Sequence, residues 1–285
     1  MSALLGPAEI RDLADGLGLQ PTKKLGQNFV VDGNTVRKIV RAGRVEAGDH
    51  VLEVGPGLGS LTLGLLETGA RVTAIEIDRR LAEQLPLTVE AMRPGAPLAV
   101  ITADALRVDE VPGEPTRLVA NLPYNVSVPV LLHLLHAVPS LESALVMVQA
   151  EVGHRLAAAP GSRVYGSPSV KASWYGEWSI AGTVSRQVFW PVPNVDSVLV
   201  GFRRGELPGT DAERAATFAL VDAAFGQRRK MLRQSLADVL GGSQAASALL
   251  AGADVDPTAR GEQLTVRDFL RIARAHGENA ASTLP

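Results

Sequence analysis

The chain has 285 residues, enough for one large domain plus a smaller one, and its 46% hydrophobic and 20% charged residues are the proportions of a globular protein. It contains no cysteine, which excludes disulfides and thiolate metal sites, and its net charge of −2 excludes polyanion binding through bulk charge alone. Glu9, Arg11, Asp12 and Asp15 stand where a signal peptide needs an apolar run, and the most apolar stretch, Val126 to Val138, is too short to span a bilayer and carries His133 and His136. A cytoplasmic protein without membrane contact is expected.

Along the chain, the segment Thr22 to Val45 carries Lys23, Lys24, Arg37, Lys38, Arg41 and Arg44 against Asp32 alone. From about His50 to Arg203, short apolar runs alternate with longer mixed segments. Strands are expected at His50–Val54, Arg71–Ile77, Leu98–Thr102, Arg117–Ala120, Ala144–Gln149, Trp178–Val184 and Ser197–Phe202. Helices are expected between them, for example Leu58–Thr68, Arg79–Met92 and Val128–His136. Strand–helix alternation predicts an α/β fold with a doubly wound, mostly parallel sheet, whose ligand site lies at the carboxyl ends of its strands.

Gly205-Glu206-Leu207-Pro208-Gly209 reads as a linker, so the domains are expected to be 1–205 and 206–285. Beyond it, Thr210 and Glu213 form a capping box ahead of apolar residues at helical spacing. Gly241-Gly242 breaks that pattern, and Thr265 with Asp268 opens another helix. This tail is expected to be a small all-helical domain, frayed from about Gly277. It holds a second basic cluster, Arg228, Arg229, Lys230 and Arg233, with no acid before Asp238. The two clusters read either as a nucleic-acid footprint or as solvated helix faces.

Val51-Leu52-Glu53-Val54-Gly55-Pro56-Gly57-Leu58-Gly59 runs from a strand into a glycine-rich turn. Glycines let the backbone bend tightly and let a ligand approach it. The dinucleotide fingerprint calls for glycine at position 60, where Ser60 stands instead. Glu76 closes the next expected strand, where an acid accepts both ribose hydroxyls of a nucleoside. Asp104 follows the third, where it suits the adenine amino group of S-adenosylmethionine, although it also reads as a helix cap.

Asn121-Leu122-Pro123-Tyr124 follows the fourth of these strands. The amino nitrogen of adenine is a poor nucleophile because its lone pair is delocalised into the ring. Accepting hydrogen bonds from both amino hydrogens draws that pair out of the plane. The side-chain oxygen of Asn121 takes one hydrogen in this reading, and a main-chain carbonyl near Pro123 the other. Proline's fixed φ holds the turn, and Tyr124 offers a face to an extruded base. An Asn-x-Pro turn followed by an aromatic is also ordinary turn chemistry. His133 and His136 lack a third ligand, and no metal is expected.

Together with Lys24-Leu25-Gly26-Gln27-Asn28-Phe29, Phe189-Trp190-Pro191-Val192-Pro193-Asn194-Val195-Asp196-Ser197 and Ala224-Phe225-Gly226-Gln227-Arg228-Arg229-Lys230, these motifs resemble the KsgA-type ribosomal RNA adenine dimethyltransferases, from about Thr22 to Leu270. The resemblance implies a class I, Rossmann-like S-adenosylmethionine-dependent methyltransferase domain with a small C-terminal helical, RNA-binding domain. It implies two methyl transfers to each of two adjacent adenosines in the 3′-terminal hairpin loop of 16S rRNA. A role in ribosome biogenesis and a monomeric protein acting on the small subunit or its precursor go with it.

By the same resemblance, Asn28, Val30, Gly55, Gly57, Glu76, Ile77, Asp104, Ala105 and Asn121 form the cofactor site. Asn121, Leu122, Pro123 and Tyr124 hold the target amine. Phe189 stacks on the adenine's other face, and Lys23, Lys24, Arg228, Arg229 and Lys230 contact RNA. Val30 in place of leucine, Ala150 in place of lysine and Pro168 depart from the family pattern. Two rivals are an RNA-binding assembly factor whose methylation is secondary, and a 23S rRNA adenine methyltransferase of the macrolide-resistance type. A DNA adenine methyltransferase is disfavoured by Leu122, where proline is usual.

Overall fold

The computed structural model describes residues 4–19 and 28–282. Nine strands and eleven α-helices are found among them: α1 (Pro7–Gly16), β1 (Phe29–Val30), α2 (Gly33–Ala42), β2 (His50–Val54), α3 (Ser60–Leu66), β3 (Arg71–Glu76), α4 (Arg79–Met92), β4 (Leu98–Thr102), β5 (Arg117–Asn121), α5 (Ser127–Ala137), β6 (Ser143–Gln149), α6 (Ala150–Leu156), α7 (Ser167–Ser173), β7 (Gly176–Val184), β8 (Phe189–Trp190), β9 (Ser197–Arg204), α8 (Asp211–Gly226), α9 (Leu232–Ser235), α10 (Ser243–Gly252) and α11 (Val266–Ser282).

Seven strands form one sheet in the order β4-β3-β2-β5-β6-β9-β7. The pairs from β4 through β6 are parallel, and β9 runs antiparallel to β6. Parallel strands covered on both faces need continuous apolar runs. His50–Val54 is buried throughout, and Leu118, Val119 and Ala120 are buried in β5. After β2 the chain builds outward through β3 and β4, then returns to place β5 on the other side of β2. That reversal opens a crevice at the carboxyl ends of β2 and β5.

The register brings the ends of four strands to one edge. Val54 pairs with Ile75, Glu76 with Thr102, and Asn121 with Met147. The Gly55 N–H continues the β2–β3 ladder to the Ile75 oxygen at 2.9 Å. Helix starts are capped locally: Asp32 accepts the Thr35 N–H at 2.8 Å and Asp78 the Arg80 N–H at 3.0 Å.

Three features depart from the sequence expectation. Helix α3 starts at Ser60, not Leu58, because Gly59 at φ +97° is its left-handed cap. The pair β1–β8 joins Phe29 to Trp190 and Val30 to Phe189, two short strands with no signal of their own. Helix α11 continues to Ser282, past the expected fraying at Gly277.

By backbone contacts the chain divides into two compact units, 1–153 with 178–204, and 154–177 with 205–285. The second unit therefore takes in a segment, 154–177, that lies on the other side of the expected boundary at 205. In this unit, Trp174 meets Phe218 edge-on at 6.0 Å and Tyr165 meets Phe225 at 6.2 Å. These aromatic contacts tie the residues on either side of α7 to α8 and explain why 154–177 belongs with the helices. The capping box of Thr210 and Glu213 is formed at the start of α8, and Thr265 and Asp268 cap α11 reciprocally.

Candidate active site

A cavity lies at the carboxyl ends of β2 to β5, where an open α/β sheet binds its ligand. Its wall contains Asn28, Val30, Gly55, Gly57, Glu76, Ile77, Asp104, Ala105, Asn121 and Pro123. Every residue expected to form the cofactor site is thus brought to one cavity, from five separate segments of chain.

The turn after β2 sets the floor. Gly55 and Gly57 have φ of +67° and +58°, a region open to glycine and strained for other residues. A Cβ on Gly57 would stand 2.8 Å from the Phe29 ring. The Gly57 N–H instead donates to Glu76 Oε2 at 3.2 Å, while Glu76 Oε1 accepts the Asp78 N–H at 2.9 Å. Glu76 is buried, which raises its pKa. The main-chain N–H groups of Asp78, Gly57 and Ile77 oppose that rise. Beside it Ile77 is 57% exposed, an apolar surface with no protein cover. Asp104 caps the short helical turn that follows it, its Oδ1 accepting the Leu106 N–H at 3.0 Å, and it also lines the cavity.

Two polar residues of the wall were missed. Glu53 is buried in the middle of β2 and accepts the Thr62 hydroxyl at 2.6 Å; burial pushes its pKa up to about 8, the Thr62 bond lowers it, and the neighbouring Glu76 adds to the rise. An acid among the apolar residues Val51, Leu52 and Val54 of a buried strand was the signal for it. Ser60 lines the cavity too, and its buried hydroxyl makes no hydrogen bond among the described residues. A buried hydroxyl without a partner is unfavourable unless a ligand satisfies it.

Asn121 ends β5, and its Nδ2 donates to the main-chain oxygen of Asn28 at 3.0 Å. That orients the amide so that Oδ1 is its accepting end. Of the two carbonyls flanking the turn, Pro123 O already accepts the Val126 N–H at 3.3 Å. Leu122 is buried and donates its N–H to Met147 O at 3.1 Å, which extends the β5–β6 ladder into the tetrad. Tyr124 is half-buried, and its hydroxyl lies 2.6 Å from the Ser197 Oγ at the start of β9. Burial raises the Tyr124 pKa, the Ser197 bond opposes this, and the nearby Asp196 charge adds to it.

Other expected positions fall elsewhere. Phe189 is 2% exposed, packs in the core with Val30 and does not line the cavity. Its ring offers no open face to a base in this conformation. Arg228 is engaged inside the helical unit: Nε pairs with Glu262 at 2.9 Å, and Nη2 donates to the Arg163 oxygen at 2.8 Å. Arg229 and Lys230 are exposed. Lys23 and Lys24 lie outside the described residues. The His133 Nε2 is 2.9 Å from the Val108 oxygen, a packing role, and no group of three metal-ligating side chains occurs among the described residues.

The sheet order, the glycine turn and the acids at the ends of β3 and β4 define a class I, S-adenosylmethionine-dependent methyltransferase. A family model described as Ribosomal RNA adenine dimethylase matches residues 18–276, and the chain belongs to that family. It is 70% identical over 273 residues to a Ribosomal RNA small subunit methyltransferase A from Leifsonia xyli subsp. xyli, covering 95% of this chain and 98% of the relative. A protein of the same name from Streptomyces coelicolor is 61% identical over 275 residues, covering 95% and 96%. Among solved structures, a dimethyladenosine transferase from Plasmodium falciparum shares the fold with a TM-score of 0.73, 23% identity and coverage of 87% and 97%. The 23S rRNA methyltransferase ErmE has a TM-score of 0.63, 27% identity and coverage of 88% and 100%.

Proposed function

We propose that the protein dimethylates the N6 amino groups of two adjacent adenosines in the 3′-terminal hairpin loop of 16S rRNA, within the small ribosomal subunit or its precursor, as a cytoplasmic monomer. The relatives named Ribosomal RNA small subunit methyltransferase A support the choice of substrate. The observation that carries the chemistry is the orientation of Asn121, whose amide is held by Asn28 at the edge of the same cavity that contains Glu76.

The residues present fit S-adenosylmethionine. Glu76 offers a buried carboxylate to a ribose diol, Ile77 an apolar face and Asp104 with Ala105 an acidic edge to the adenine. The open backbone at Gly55 and Gly57 and the unpartnered Ser60 hydroxyl suit the polar amino-acid end. When bound, this group supplies an electrophilic methyl on a sulfonium sulfur. Asn121 Oδ1 accepts one hydrogen of the target amine and the Leu122 carbonyl the other, since Pro123 O is engaged by Val126. Tyr124, anchored at its hydroxyl by Ser197, presents a fixed ring face to the extruded base. Catalysis is chiefly placement of the amine, and no strongly basic residue is needed because the amine becomes acidic as it is alkylated. The helical unit and the basic residues of the chain hold the RNA.

The test is transfer of labelled methyl to small subunits that lack the mark, with mass spectrometry locating the modified nucleotides. Methylation of two adjacent adenosines of 16S rRNA is the expected result. A mark on 23S rRNA, or none at all, overturns the reading.

A further inference from the structure

The cavity wall holds acids and no base. Glu53, Glu76 and Asp104 line it, and among the described residues no lysine, arginine or histidine does. Carboxylates gathered in one cavity repel each other and lose hydration, so the least supported of them keeps a proton. The hydrogen bonds show which one that is. Glu76 accepts the Gly57 and Asp78 N–H groups, and Asp104 accepts that of Leu106. Glu53 has no main-chain donor: its one hydrogen bond among the described residues comes from Thr62 to Oε2. It is also the deeper of the two strand acids, 1% exposed against 5% for Glu76.

No cation faces it. Helix α3, which supplies Thr62, carries no charged side chain, and β3 presents Glu76. Arg71 and Arg117 begin β3 and β5, at the opposite edge of the sheet, and Arg117 pairs there with Asp49 at 2.7 Å. Burial pushes the Glu53 carboxyl up to about 8 against the Thr62 bond, and the Glu76 charge adds to the rise. The chain then runs from Glu53 through the glycine turn to Ser60, whose buried hydroxyl has no partner among the described residues. An acid for an ammonium and a hydroxyl for a carboxylate are the two halves that an α-amino acid requires.

We infer that Glu53 is a charge switch for the amino-acid end of S-adenosylmethionine: neutral in the cofactor-free protein, it ionises against the arriving ammonium, and its proton leaves to solvent. A nearby cation favours the charged form of a carboxyl, so the buried acid becomes one half of an ion pair only when its partner is present. This inference rests on placing the amino-acid end at the glycine turn.

The experiment is calorimetry of the full-length protein at about pH 7 in two buffers of different ionisation enthalpy, which counts the protons released. S-adenosylmethionine and S-adenosylhomocysteine, which share the amino-acid end, are each expected to release close to one proton. Methylthioadenosine, which lacks that end, is expected to release none. Affinity for S-adenosylmethionine is expected to rise with pH, by up to about tenfold per unit, and to flatten as the free carboxyl ionises. Glu53→Gln, which still accepts from Thr62, is expected to abolish both the release and the rise. Thr62→Val removes a bond that favours the anion, so it is expected to move the flattening to higher pH. Thermal melting confirms that each variant folds. Undiminished release in Glu53→Gln, no release in wild type, or an unmoved profile in Thr62→Val overturns the inference. Release with S-adenosylmethionine but not S-adenosylhomocysteine also overturns it, since Glu53 would then answer to the sulfonium. Release with methylthioadenosine defeats the placing of the amino-acid end instead, so the two failures are distinguishable.

Discussion

Asn121 and Asn28 are joined across 93 residues of sequence by a 3.0 Å hydrogen bond from the side-chain amide of one to the main-chain oxygen of the other. A flipped amide would set oxygen against oxygen, so the bond determines which end of Asn121 faces the cavity. Asn121→Ala is expected to slow methyl transfer at least tenfold, about 1.4 kcal/mol of barrier. Asn121→Asp is expected to lose more, because it places an anionic oxygen against the Asn28 carbonyl. Single-turnover rates beside calorimetric cofactor affinity check this. Rates within tenfold of wild type in both variants would remove Asn121 from the chemistry.

Glu76→Ala deletes the acceptor of two main-chain N–H groups, from Gly57 and Asp78. Stranding buried donors destabilises by about 1–3 kcal/mol. The variant is expected to melt lower and to bind S-adenosylmethionine more than tenfold more weakly by calorimetry. An unchanged affinity would show that the carboxylate meets no cofactor hydroxyl.

Gly57→Ala tests the cradle. Its new methyl would stand 2.8 Å from the Phe29 ring at a φ of +58°, so both space and backbone oppose it. A loss of about 1–2 kcal/mol from the left-handed backbone alone is expected, together with weaker cofactor binding as Phe29 is displaced. Denaturant unfolding of the cofactor-free protein separates the first effect from the second.

Glu53 gives the protein a pH signature. Its carboxyl titrates from the ordinary 4.5 when unfolded to about 8 when folded. The folded state therefore holds a proton that the unfolded state has released between those values. The stability so contributed is full below pH 4.5 and is lost as pH rises through about 8. Glu53→Gln keeps an acceptor for Thr62 and cannot titrate. In the cofactor-free protein, the melting temperature of wild type relative to Glu53→Gln is expected to fall steadily from pH 5 to pH 8. A constant difference would mean that Glu53 is ionised in its strand.

Tyr124 and Ser197 share a 2.6 Å hydrogen bond. Ser197→Ala and Tyr124→Phe are each expected to raise the KM for the subunit with a smaller change in kcat. The double variant should be no worse than either single one. Additive losses would show that the hydroxyls act separately. Tyr124→Ala is expected to lose a further 1–3 kcal/mol or so of base stacking.

The alternation of apolar runs with helical segments was enough to read the α/β sheet, the glycine turn and the acids at strand ends, because each leaves a local periodic or compositional trace. Helix α3 was read too long because only the backbone angle of Gly59 marks where its turn begins. Strands β1 and β8 escaped notice because two residues carry no period, and only pairing with each other makes them strands. Glu53 stood in plain view as a charge in a buried strand, but its alliance with Thr62 became visible only in the fold.

By itself the sequence determined the chemistry on offer: which residues stand at strand ends, where the backbone needs glycine, and that an Asn-Leu-Pro-Tyr tetrad follows the strand now seen as β5. Those are local properties, set by spacing and residue type. Tertiary structure alone decided which way the Asn121 amide points, that Phe189 is packed away from the cavity, and that Arg228 meets Glu262 and the Arg163 carbonyl while Arg229 and Lys230 stay exposed. Each of these depends on a partner brought from a distant part of the chain. A hydrogen bond between residues 65 or 93 positions apart leaves no trace in the spacing of either one.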